Sequence, residues 1–226
     1  MRASVPLSFQ MLLGAILLLL FVPTLADAEW VSHVSRTLYT LVMLASLYLV
    51  SSKRRDLVIG IILFLPVTAT KWMLAPILAV QTQLLVYCVF QVIFLAYLMR
   101  KVFDFLLAAR KVDAEIIYAS LVLYMIFGLC LSLVYYGVLI VSPGSLGESL
   151  VLNFDDQASL TVLMHDLIYF SYVTQTTLGY GDISPTTGFA KSVASTQAVV
   201  GQLYVAVIIA RLVGIQIATS LNDQSR

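Results

Sequence analysis

Residues 175–185 read QTTLGYGDISP, a glycine-broken stretch between two long apolar runs. Lipid tolerates irregular backbone only where protein buries it or where it lines a water-filled cavity. The composition puts that constraint in force. The chain has 226 residues, 61% hydrophobic and 11% charged, against roughly 25% charged in a soluble domain. An all-α integral membrane protein is therefore expected, and the stretch must line something. The flanking runs are Ile116–Val141 and about Ala190–Ala218, each long enough to span at about 20 residues. Directly before the stretch, Met164–Thr176 is apolar but too short to span, and it reads as a re-entrant segment.

Further spans lie upstream: Leu7–Leu25, Thr37–Val50, Leu57–Trp72 with Pro66, and Pro76–Met99, giving six in all. The first has a second reading. Arg2, the apolar run Met11–Val22 and Ala26-Asp27-Ala28 also fit a cleavable signal peptide over residues 1–28.

Cytoplasmic loops carry the excess of Lys and Arg. Arg2, Lys53, Arg54, Arg55, Arg100, Lys101, Arg110, Lys111, Arg211 and Arg226 fall on one side; Arg36, Lys71 and Lys191 fall on the other. Ten against three places both termini inside. Residues 142–161 then lie outside, with Glu148, Asp155 and Asp156, either as a plain solvated loop or as an acidic rim that concentrates cations. Trp30 and Trp72 fall near the outer interface. Asp166 is expected near the outer start of the re-entrant helix as a cap or favourable dipole charge. His165 beside it is a surface histidine or a pH sensor. Cys88 and Cys130 sit inside apolar runs and read as core rather than a disulfide. A net charge of +1 gives no reason to expect nucleic acid. No metal-ligand spacing or phosphate loop is present, so neither an enzyme nor a cofactor is expected.

A span, a short re-entrant helix, then Thr177-Leu178-Gly179-Tyr180-Gly181-Asp182 and a final span together resemble the potassium channel family, over about Ile116–Ala218. Passing potassium through a membrane requires a substitute for hydration water, and converging backbone carbonyls supply one. Successive carbonyls face one way if the backbone alternates in hand, and Gly179 and Gly181 permit left-handed steps at little cost. The resemblance implies K+ sites at the carbonyls of Thr177, Leu178, Gly179 and Tyr180, with the Thr177 hydroxyl innermost. Gly181 completes the filter. It also implies an outer helix at 116–141, a pore helix at 164–176, a filter at 177–182 and an inner helix at 190–218. These form a pore domain at 113–218, after a four-helix domain at 1–112 and before a short cytoplasmic tail at 219–226. One filter loop per chain implies a homotetramer in a lipid membrane, with closed four-fold symmetry.

The filter's support is expected from Asp182, Tyr169, Val173 and Thr176. Two of these depart from the family: Val173 replaces a common glutamate, and Tyr169 replaces a common tryptophan. The Tyr169 hydroxyl is placed to bond Asp182. Gly201 is a gating hinge by resemblance, or a site of close helix packing. Arg211 reaches lipid headgroups or pairs with Glu115 or Asp113. The fourth span, Pro76–Met99, has no Lys or Arg, so steep voltage gating is not expected. Its Gln81, Gln83 and Gln91 read as interhelical hydrogen-bonders. Only eight residues follow Ala218, too few for a cytoplasmic regulatory ring. The short loops suit a prokaryotic plasma membrane. Three rivals stand beside a potassium-selective channel: a weakly selective cation channel, an ion carrier with a channel-like loop, and a non-conducting partner subunit.

Overall fold

The computed structural model describes residues 8–21, 37, 39–47, 54–72, 79–109, 111–147, 150 and 157–224. They are helical almost throughout: α1 (Ser8–Phe21), α2 (39–47), α3 (Arg54–Trp72), α4 (Val80–Ala108), α5 (Ala114–Val141), α6 (Gln157–Gln175) and α7 (Gly188–Gln224). Three of these are long and apolar enough to cross a membrane: Val80–Ala108, Ala114–Val141 and Gly188–Ile215. The sequence predicts six spans. α1 has only 14 residues, about 21 Å at 1.5 Å per residue. α3 carries Arg54, Arg55 and Asp56 at one end and Lys71 at the other.

α5 is the hub. Asp113 caps it, its carboxylate accepting from the Ile116 N–H at 3.0 Å, so one of the four orphan donors of the first turn is satisfied. α5 packs against α1, α4, α6 and α7, and a single core runs from Phe9, Leu12 and Ile16 of α1 to Ala190 and Ala194 of α7. Cys88 and Cys130 are free and buried in that core. The three glutamines of α4 bridge helices: Gln81 donates to the Ile140 carbonyl at 3.3 Å, Gln83 to the Thr70 carbonyl at 2.7 Å, and Gln91 to the Tyr39 hydroxyl.

Several boundaries differ from those the sequence suggests. α4 does not stop at Met99. It continues to Ala108, because Val102 and Leu106 extend its buried stripe, so Arg100 and Lys101 are helical rather than in a loop. Lys101 pairs with Asp56 of α3 at 2.9 Å. α6 begins at Gln157, seven residues before the expected start at Met164, and shortens the preceding segment to 142–156. α7 runs to Gln224 and takes in most of the expected tail. Glu148, Asp155, Asp156, Trp30, Arg36, Lys53, Arg110, both terminal arginines and Ala26–Ala28 lie outside the described residues.

Candidate functional site

α6 ends at Gln175, and the chain folds back over its last turn. The Val173 carbonyl accepts from the Leu178 N–H at 2.9 Å and the Gly179 N–H at 3.4 Å. The Thr177 N–H reaches the Thr174 carbonyl at 3.0 Å, and the Thr176 N–H the Tyr172 carbonyl at 2.9 Å. The Thr176 hydroxyl donates to that same Tyr172 carbonyl at 2.7 Å. Val173 is buried. At the place of a common carboxylate, it shapes the loop through its carbonyl.

Beyond this reversal, every second residue has positive φ: Thr177 at 60°, Gly179 at 60° and Gly181 at 83°. The two glycines are legible in the sequence; Thr177 is not. A β-branched residue in the left-handed region is a steric outlier, at a cost on the order of 1–3 kcal/mol. The spacing 177, 179, 181 is the one sequence signal that extends the pattern to it. Thr177 is held on both sides, by its own N–H and by Gln202 of α7, whose Nε2 donates to Thr177 Oγ1 at 2.8 Å. Residues 176–182 are exposed in the single chain.

At the far end of the loop from Thr177, the Tyr169 hydroxyl of α6 donates to Asp182 Oδ2 at 2.8 Å. That bond pushes the Tyr169 hydroxyl up to about 12, because losing its proton beside a carboxylate is unfavourable. The Tyr180 ring lies nearly parallel to Tyr169, with centroids 6.2 Å apart, so its side chain runs along α6. After the loop, Thr186 ties back to the end of α5. Its hydroxyl donates to the Gly144 carbonyl at 2.7 Å, and its N–H to the Ser145 carbonyl at 2.9 Å.

Behind the loop lies a buried polar network that sequence reasoning missed. Gln197 of α7 accepts from the Tyr135 hydroxyl at 2.6 Å. Its Nε2 donates to the Ser171 carbonyl at 3.0 Å and the Ser171 hydroxyl oxygen at 2.8 Å. Gln175 donates to the Tyr124 carbonyl at 2.8 Å, and the Tyr124 hydroxyl returns to the Gln175 carbonyl at 3.3 Å. Ser171 donates to the Gly128 carbonyl at 2.7 Å. These bonds join α5, α6 and α7 at one level. A Cβ on Gly128 would collide with the Tyr172 ring, so the glycine is what lets α6 approach α5 closely enough to make them. Buried glutamines and serines in apolar helices were the available signal, since such groups need partners.

Gly201 is buried where α7 crosses the base of the loop. A Cβ there would strike the Gln175 carbonyl oxygen and lie 3.0 Å from Gln175 Cγ. Close packing therefore accounts for this glycine. Arg211 pairs with neither Glu115 nor Asp113. It donates to the Leu107 carbonyl at 3.1 Å, one of the orphan acceptors in the last turn of α4. Asp166 lies nine residues inside α6 and is no cap. Burial raises its carboxyl above the usual range, with His165 opposing and Asp182 adding; burial lowers His165.

No metal-binding group of three or more His, Cys, Asp or Glu residues occurs among the described residues. No curated protein and no solved structure matches the chain. The family model described as ion channel matches residues 147–216, the stretch that holds α6, the alternating loop and most of α7, and over it the chain is similar to pore-loop channels.

Proposed function

We propose that four copies of this chain enclose a potassium-selective pore lined by the carbonyls of Thr177, Leu178, Gly179 and Tyr180. The observation that carries this reading is the positive φ at every second residue from Thr177 to Gly181. With hand alternating, successive carbonyls line up along one side of the strand, and four such strands replace a cation's hydration shell. Gly181, Asp182 and Tyr169 close the outer end. Val173 and Thr176 shape the inner one. Assembly finds support in α7: along its apolar stretch only 6% is buried, against 61% for α5, so most of that surface is left for lipid, pore water or other copies. The first helices complete six crossings in this reading, with both termini on the cytoplasmic side of a plasma membrane.

The deciding experiment is bilayer recording of the purified protein with potassium on one side and sodium on the other. A reversal potential that follows the potassium gradient, with discrete single-channel steps, is expected. A potential indifferent to the exchange points to a weakly selective cation channel. Slow flux without steps points to a carrier, and silence to a partner subunit.

Two side-chain predictions follow the same geometry. Tyr169→Phe removes the donor to Asp182, and the macroscopic current is expected to decay at a rate altered several-fold; superimposable decay traces would reject a supporting role. Gln202→Leu removes the donor that steadies Thr177. Potassium over sodium permeability is expected to fall several-fold, while Gln202→Asn retains part of it; unchanged permeability in the leucine variant would separate Gln202 from selectivity.

A further inference from the structure

A cavity of about 510 Å³ opens between α4, α5 and α7, walled by Arg100 and Phe103, Tyr124 and Phe127, and Val200 and Tyr204. Its size is within the roughly 300–1,000 Å³ of small-molecule sites. The two tyrosines show it only their rings. The Tyr124 hydroxyl is engaged with the Gln175 carbonyl, and the Tyr204 hydroxyl with the Ser120 carbonyl at 2.7 Å. The walls are thus almost wholly apolar, and Arg100 is the one charged residue among them. Arg100 has no ion pair or hydrogen bond among the described residues, while its neighbour Lys101 is held by Asp56.

Arg100 is 20 residues beyond Val80, roughly 30 Å at 1.5 Å per residue. That distance is the hydrocarbon thickness of a bilayer, about 30 Å, so a helix that enters at Val80 brings Arg100 to the far headgroup level, with Ala96 and Met99 of the same wall on its core side. Its guanidinium fork suits a phosphate. A soluble anion has no use for carbon walls, and a neutral hydrocarbon has none for the arginine. We propose that the cavity holds an acyl chain of an anionic phospholipid whose phosphate rests on Arg100. The bound chain lies against Tyr124, which bonds the carbonyl at the base of the loop, and against Tyr204, three residues past Gly201. Its regulatory consequence rests on the channel reading: occupancy stiffens the frame beneath the filter and changes conduction.

The test reads binding without conduction. The full chain is purified in mild detergent, delipidated and exposed to phosphatidylcholine vesicles with or without phosphatidylglycerol, and retained lipid is identified by mass spectrometry. The unsubstituted protein is expected to retain phosphatidylglycerol several-fold over phosphatidylcholine. Arg100→Gln, a substitution at an exposed position, loses the headgroup preference. Ala96→Trp, which fills the cavity from α4, loses retention of both lipids. Equal preference in all three proteins overturns the site, and so does retention by none, the result if a second copy seals the cavity. Potassium flux from the same vesicles is the second readout. Arg100-dependent retention in a protein that does not conduct keeps the lipid site and rejects the channel.

Discussion

Gly201→Ala is expected to lower the unfolding midpoint of the purified protein, by the equivalent of about 1–3 kcal/mol, and to reduce conduction. The sign is not the one helix propensity gives, since alanine is favoured over glycine in a helix interior by about 1 kcal/mol. The new methyl meets the Gln175 carbonyl oxygen. That atom belongs to backbone at the end of α6 and also accepts from Tyr124, so it cannot turn aside as a side chain would. Either α7 withdraws from the loop base or the loop base shifts. Both outcomes disturb Thr177, which α7 holds through the next residue, Gln202. Thermal unfolding and single-channel recording together separate this from a hinge. Unchanged stability with a lower open probability restores the hinge reading; a lower midpoint establishes packing.

Gln197→Leu carries the second large effect. Gln197, Ser171 and Tyr135 are buried almost completely, at 1%, 0% and 0% exposure. Leucine matches the bulk but leaves the Tyr135 hydroxyl facing an apolar side chain, while the Ser171 carbonyl keeps its bond within α6. An unmade hydrogen bond at a buried group costs about 1–3 kcal/mol, and a loss in that range is expected. Adding Tyr135→Phe should restore part of that loss, because removing both partners of a bond is far less costly than removing one. A double-mutant cycle on unfolding free energies measures the coupling. Strict additivity would mean that the two side chains do not depend on each other.

α5 and α7 were legible because their apolar runs exceed the membrane's thickness, and Gly179 and Gly181 were legible because left-handed backbone favours glycine. The start of α6 was not. Gln157-Ala158-Ser159-Leu160 is too polar to signal a membrane segment, yet it extends the helix, which needs only good helix formers and a buried Leu160. The left-handed backbone of Thr177 was not legible because its β-branched side chain favours β geometry, and the cost of overriding that is met by contacts from elsewhere in the fold. The expected carboxylate partner of Arg211 is replaced by the Leu107 carbonyl for a related reason. Charge complementarity suggested a carboxylate, whereas the orphan carbonyls at the end of α4 were invisible until the length of α4 was known. The glutamine network needed three helices brought to one level, and no local pattern encodes that.

The frame behind the loop is made of amides and hydroxyls, without an ion pair among the bonds that join Tyr135, Ser171, Gln175 and Gln197. Carboxamides do not titrate, and phenols ordinarily ionise only near pH 10. Dissolved salt weakens contacts between exposed charges and finds none here to weaken. The geometry of this bracket should therefore be the same in fresh water and brine, and in mild acid and mild alkali. A chain that meets changes of salt and acidity on one face thus keeps an inner gauge that those changes do not reset.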